Sequence, residues 1–216
     1  MCRKLPGYPG HIGYVGAGVV DGSILFCGNE NCCSAYCYTY DQNRNSWEYY
    51  TSLVRTALYS GCTVINGTLL LTGGYTGSYV TSKTQIVSAD SMLHYGPNLL
   101  EPRYHHCAVN LLDGRFLVIG GSFRDRGSDR GRGLLTTEFH DFGNGSAYYG
   151  PSLPSIRIDP ACALFHSPLH NNRSVVLVIG KSYQPLFVLD FTQPLATWKT
   201  CEYSKLYSRF TGSLSA

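Results

Sequence analysis

The chain has 216 residues, 44% hydrophobic and 14% charged, ample for one globular core. Its 24 glycines and 17 tyrosines suit short strands and tight turns better than helices. No window keeps a 3.6-residue apolar period, and no apolar run approaches the ~18 residues of a membrane span. A formal net charge of +3 gives no argument for nucleic acid, and the opening MCRKLPGYPGHIGY lacks the apolar stretch of a signal peptide.

In chain order, GYVGAGVV (13–20) reads as a strand, Asp21-Gly22 as a turn, and SILFCG as a second strand ending at Gly28. AYCYTYD (35–41) and SWEYY (46–50) follow as strands three and four, joined by a turn at 41–45. The pattern then recurs. YSGCTVI, Asn66-Gly67 and TLLLTG lead to Gly73 and Gly74, and LHYGPNL (93–99) closes the unit. EPRYHHCAV, Asp113-Gly114 and RFLVIG lead to Gly120 and Gly121, and AYYGPSL (147–153) closes. SIRIDPACAL, Asn171-Asn172 and SVVLVIG lead to Gly180, and WKTCEYSKL (198–206) closes. The units start at Val19, Val64, Leu111 and Asn171, so they recur after 45, 47 and 60 residues. The upstream phrases loosely align Arg55, Arg103 and Arg157, and they align Cys62, Cys107 and Cys162.

One unit follows from turn chemistry. An Asn-Gly or Asp-Gly pair takes positive φ cheaply and closes a two-residue hairpin. The strand after it is apolar at nearly every position, so it is expected to be buried on both faces. The glycines then allow close backbone approach and a change of direction. Each unit is expected to be a four-stranded antiparallel meander, and such a sheet must stack on its neighbours to bury both faces.

The Gly-Gly after an apolar strand, the phrase Tyr38-x-Tyr40-Asp41, and a tryptophan about 19 residues past the glycine (Trp47 after Gly28, Trp198 after Gly180) resemble the kelch repeat. GPNLLEPRYHHCAVNLLDGRFLVIGG (96–121) is the nearest match. The resemblance covers nearly the whole chain. It implies an all-β kelch-type β-propeller with one four-stranded blade per repeat, as in the galactose oxidase/kelch-like family. The blades are expected at about 13–53, 57–99, 104–153 and 159–206, with 207–216 as the first strand of a further blade and the propeller incomplete. Two departures stand out: Leu93 and Ala147 replace the tryptophan in the second and third units, where packing should be looser.

The resemblance also sets functional expectations. Kelch propellers are mostly protein-binding modules, so the expectation is a non-catalytic interaction module without a cofactor, its protein partner unnamed. Relatives often carry BTB domains and serve cullin-type ubiquitin ligases, but no such helices occur here. The alternatives are a secreted or cell-surface kelch-like protein and a copper radical oxidase. For the oxidase, Tyr104-His105-His106 would need partners such as His166 and His170, whereas Arg103-x-x-His106 also reads as the ordinary start of a repeat.

The insertion SFRDRGSDRGRG (122–133) accounts for the long third spacing. Its Arg124, Arg126, Arg130 and Arg132 are binding-loop candidates, set against a plain solvated loop. Cys27 and Cys37 lie on neighbouring strands, and a disulfide, free thiols or a metal remain open there. Cys62, Cys107 and Cys162 are expected as small core residues. Asn66, Asn144 and Asn172 open Asn-x-Ser/Thr sequons. Cysteines and sequons point outside the cell, whereas a chain complete without a signal peptide points to the cytoplasm.

Overall fold

The computed structural model describes residues 6–9, 16–31, 34–54, 58–125, 127, 131–167, 173–180 and 184–201. Among them all regular structure is β-strand, in four four-stranded antiparallel sheets and one small ribbon. Sheet one is β1 (Gly16–Val20), β2 (Ser23–Asn31), β3 (Ser34–Asp41) and β4 (Ser46–Ser52). Sheet two is β5 (Gly61–Ile65), β6 (Thr68–Thr72), β7 (Thr84–Val87) and β8 (Leu93–Tyr95). Sheet three begins with β9 (Cys107–Asn110) and β10 (Arg115–Ile119). The ribbon of β11 (Ser122–Phe123) and β12 (Arg132–Gly133) interrupts it, and β13 (Thr137–Asp141) and β14 (Ala147–Tyr149) complete it. Sheet four is β15 (Ala161–Ser167), β16 (Arg173–Ile179), β17 (Leu186–Leu189) and β18 (Lys199–Cys201). Each sheet is a meander, and the ribbon occupies the insertion of the third unit.

The turn pairs act as their chemistry dictates in the first two hairpins. Asp21 and Gly22 take φ of 47° and 74°, and Asn66 and Gly67 take 49° and 72°. The third hairpin is longer than the sequence suggests. Its positive φ values fall on Leu112 and Gly114, and the Leu111 N–H donates to Arg115 O at 2.9 Å, so four residues make the turn. β2 does not stop at Gly28; it runs to Asn31 with an irregular register after Asn29, because β3 offers partners along the whole stretch. A recurring aspartate stops the third strand. Asp41 Oδ1 accepts from the N–H groups of Asn43 and Arg44, and Asp141 Oδ1 from those of Gly143 and Asn144.

The second strands carry the core. Leu69, Leu70, Leu71 and Thr72 are buried, as are Phe116 to Ile119. Alternation splits their allegiance. Leu69 and Leu71 pack with Val20, Leu25 and Cys37 of sheet one, whereas Leu70 packs with Phe116 and Val118 of sheet three. Leu117 and Ile119 face Val176, Val178 and Phe187 of sheet four. The sheets therefore stack in chain order.

The first strands β1, β5, β9 and β15 are successive neighbours. They run in the same sense. The His105 N–H donates to Tyr59 O and the Asp159 N–H to His105 O, both at 2.9 Å, and Asn110 Nδ2 donates to Val64 O at 2.8 Å further along. Consequently one end of the stack, here the head, gathers the segments that open each first strand and follow each second strand. The opposite, hairpin end gathers the turns between strands one and two and between strands three and four.

Candidate functional site

The glycine pairs lie at the head, and they are latches between sheets. Gly73 and Gly74 have φ of 60° and 104°, and Gly120 and Gly121 have 62° and 90°. The Gly74 N–H donates to Arg103 O and the Gly121 N–H to Arg157 O, each at 2.8 Å. A Cβ on Gly73 would lie 2.5 Å from Arg103 O, and one on Gly120 would lie 2.8 Å from Arg157 O. Each glycine pair thus grips the main chain of the arginine that opens the next sheet. The arginine side chain turns into its own sheet. Arg103 is fully buried and donates to Gly120 O (2.8 Å), Thr136 O (3.1 Å), Thr136 Oγ1 (3.0 Å) and Glu138 Oε1 (2.5 Å). Arg157 donates to Ser155 Oγ (2.6 Å) and Pro185 O (3.0 Å), with its guanidinium 3.9 Å from the Phe187 ring centroid. The third member of the alignment, Arg55, lies outside the described residues. Gly180 adjoins the same arginine, where an added Cβ would sit 3.0 Å from Arg157 Cδ, and Gly28 is buried within β2. Trp198 is buried between sheets three and four, its indole donating to Pro151 O at 2.9 Å; Trp47 donates to Pro6 O at 3.2 Å.

Glu138 and His140 escaped the reading of the sequence. Glu138 Oε1 accepts from Arg103 and the Glu101 N–H, and Oε2 accepts from the Leu100 N–H and His140 Nε2, the last two at 2.8 Å. The His140 ring stacks on Phe116 at 4.8 Å. Burial alone would raise the Glu138 pKa, but the His140 hydrogen bond and the Arg103 charge outweigh it and hold the carboxyl below its usual range. The available signal was period-two alternation, which puts both residues on one face of β13, a strand with neighbours on both sides in sheet three.

His106 fills the space under three glycines. Its Nε2 accepts from the Gly61 N–H at 3.2 Å and lies 2.8 Å from Thr72 Oγ1. Burial first, then the Arg103 charge, lowers its pKa to about 3. The folded protein therefore refuses a proton that the unfolded chain takes near pH 6.5, and stability falls as pH drops below that value. Between pH 6.5 and 4.5 the loss should be about 2–3 kcal/mol, at ~1.4 kcal/mol per unit. Urea unfolding at the two pH values checks this: His106→Gln should flatten the difference relative to the parent, and equal slopes would refute the assignment.

The head surface carries a row of constrained residues. Tyr59, His105 and Asp159 occupy equivalent places before β5, β9 and β15, and all three adopt φ between 51° and 59°, rare for residues with a side chain. Their main chains form the ladder described above. The Tyr59 and His105 rings are 3.8 Å apart, and His105 Nδ1 pairs with Asp159 Oδ1. Tyr104 lies 4.8 Å from His105 and 6.1 Å from Tyr75, and the Arg124 guanidinium sits 4.7 Å from the Tyr75 ring centroid. Three left-handed residues cost on the order of 1–3 kcal/mol each, and such strain concentrates at working surfaces.

Of the insertion arginines, Arg124 stacks as described, and Arg132 lies over Phe123 and donates to Glu101 Oε1 at 2.9 Å. Arg126 and Arg130 lie outside the described residues. The histidines named for a copper set do not converge. His106 is committed to Gly61 and Thr72, His105 to Asp159, and His166 to Ser174 at 3.0 Å, while His170 lies outside the described residues. Among the described residues no group of three or more His, Cys, Asp or Glu is placed to hold a metal.

Cys27 and Cys37 are directly opposed on β2 and β3 with Cα atoms 4.0 Å apart, and their sulfurs are bonded. Cys107 and Cys162 are also bonded, Cα to Cα 6.1 Å, joining β9 of sheet three to β15 of sheet four. The sequence marks these two, with Cys62, as core fillers; stacking equivalent strands side by side brings equivalent cysteines together. Cys62 faces Gly16 instead and carries a free thiol, whose pKa burial raises. Asn66 and Asn144 are exposed at the hairpin end, and Asn172 lies outside the described residues. No described helix is long and apolar enough to cross a membrane. No family model matches the chain, and no curated protein matches it.

Proposed function

We propose that the chain is built of kelch-type propeller blades and works as a non-catalytic protein-recognition module that binds through its head. Four consecutive meanders, neighbouring first strands running in one sense, and the repeated glycine–arginine latch support the blade reading. The observation that carries the function is the head cluster. Tyr59, Tyr75, Tyr104, His105 and Arg124 lie together there, partly exposed, on strained or stacked supports. Tyrosine and arginine dominate the energetic centres of protein interfaces. Loops held by rigid sheets lose little entropy on docking.

The test is photo-crosslinking in extract from the natural source, with benzoylphenylalanine in place of Tyr75, Tyr104 or the exposed hairpin-end residue Leu112. The two head positions should trap the same partner and Leu112 should not. Arg124→Glu should weaken that adduct's affinity at least tenfold, about 1.4 kcal/mol, with the melting temperature unchanged. Different adducts from Tyr75 and Tyr104, or none, would end this reading.

A further inference from the structure

Asn66 and Asn144 occupy a particular place in the fold. Asn66 opens Asn66-Gly67-Thr68 in the exposed β5–β6 turn, and Asn144 opens Asn144-Gly145-Ser146 in the exposed β13–β14 turn. Both turns fall at the hairpin end, because the first strands run in one sense and every sheet is a meander. Asn144 already holds its side chain in a local turn, with the Ser146 N–H donating to its Oδ1 at 2.8 Å. That bond engages Oδ1 and not Nδ2, and the residue is exposed. A branched polar chain at either position would meet solvent, not the head cluster.

A second observation is independent of the sequons. The Cys27–Cys37 pair closes two adjacent strands, and Cys107–Cys162 ties two sheets. Such bonds persist in oxidising compartments and are rare in the cytosol. The same compartments hold the machinery that modifies Asn-x-Ser/Thr.

We infer that Asn66 and Asn144 are N-glycosylation sites, and that carbohydrate covers the hairpin end while the head stays bare. In the modification, the asparagine Nδ2 bonds to the anomeric carbon of a pyrophosphate-activated oligosaccharide. The anomeric C–O bond breaks, the pyrophosphate leaves with the electron pair, and the amide proton passes to the transferring enzyme's base. This inference deepens the head-binding reading but does not depend on it, since glycan occupancy is read without any partner.

The experiment expresses the full chain behind a cleavable signal sequence in a eukaryotic cell. Secreted and cell-retained protein are both measured by intact mass before and after peptide N-glycosidase. Asn66→Gln and Asn144→Gln should each remove one glycan. Thr68→Ala and Ser146→Ala should do the same while keeping the asparagines, which separates loss of the sequon from a folding defect. Digestion without reductant should recover the Cys107–Cys162 linked peptide from the same sample. Glycan at both asparagines supports the inference; an unmodified Asn66 or Asn144 overturns it, even if the head still traps a partner.

Discussion

Arg103→Met should lower the unfolding free energy by about 3–5 kcal/mol, because it strands a buried carboxylate. Glu138 is fully buried and accepts from Arg103, His140 and two backbone N–H groups. Methionine matches much of the arginine stem but supplies no donor, so Gly120 O and Thr136 O lose partners as well. Urea denaturation of the parent, Arg103→Met, and Arg103→Met with Glu138→Gln gives the decisive comparison. The double variant should regain part of the loss, since a neutral amide is less costly to bury than an unpaired charge. If the double variant is no more stable than the single, the charge pair is not what Arg103 contributes, and its hydrogen bonds to Gly120 O and Thr136 within sheet three would carry the effect.

Gly73→Ala should cost about 3 kcal/mol or more, well beyond the ~1 kcal/mol expected for putting alanine into a left-handed backbone. The excess comes from the close approach. The new methyl would lie 2.5 Å from Arg103 O and 2.9 Å from His106 Cε1, and Arg103 O is main chain already held by the Gly74 N–H, so moving it breaks that bond. Gly67→Ala is the internal control. Gly67 has φ of 72°, but an added Cβ there meets nothing within 4 Å, so only the backbone term applies. Comparable losses at the two glycines would mean that sheets two and three are not latched through Gly73 and Gly74.

The two results bear on one device. In each of the two described latches, an arginine presents its carbonyl to the glycine pair of the preceding sheet and its side chain to its own sheet. A stack of repeats needs such a device because each meander, alone, leaves an apolar face uncovered. The same geometry positions the head surface, since Tyr59, His105 and Asp159 are hydrogen-bonded in series across sheets two, three and four. A weakened latch should therefore disturb partner binding even where no head side chain is changed.

Local chemistry reached far in this chain. The Asn-Gly and Asp-Gly pairs dictate hairpins because they accept positive φ at little cost. The apolar runs after them dictate buried second strands, and recurrence of the whole phrase dictates similar sheets in series. Those signals act within a few residues, so the order of strands was legible without coordinates. The stacking was not. Arg103 and Arg157 looked like register marks, because nothing local tells an exposed arginine from one whose guanidinium donates to carbonyl and carboxylate oxygens 17 to 35 residues away. Glu138 and His140 passed unremarked for the same reason. The Cys107–Cys162 bond, the burial that keeps His106 neutral, and the Tyr59–His105–Asp159 row all arise between sheets. The sequence by itself determined the repeating meander; which equivalent residues touch, and so where the constrained surface lies, was decided only when the sheets packed, because sheet-to-sheet contacts join residues about 50 positions apart that no local propensity links.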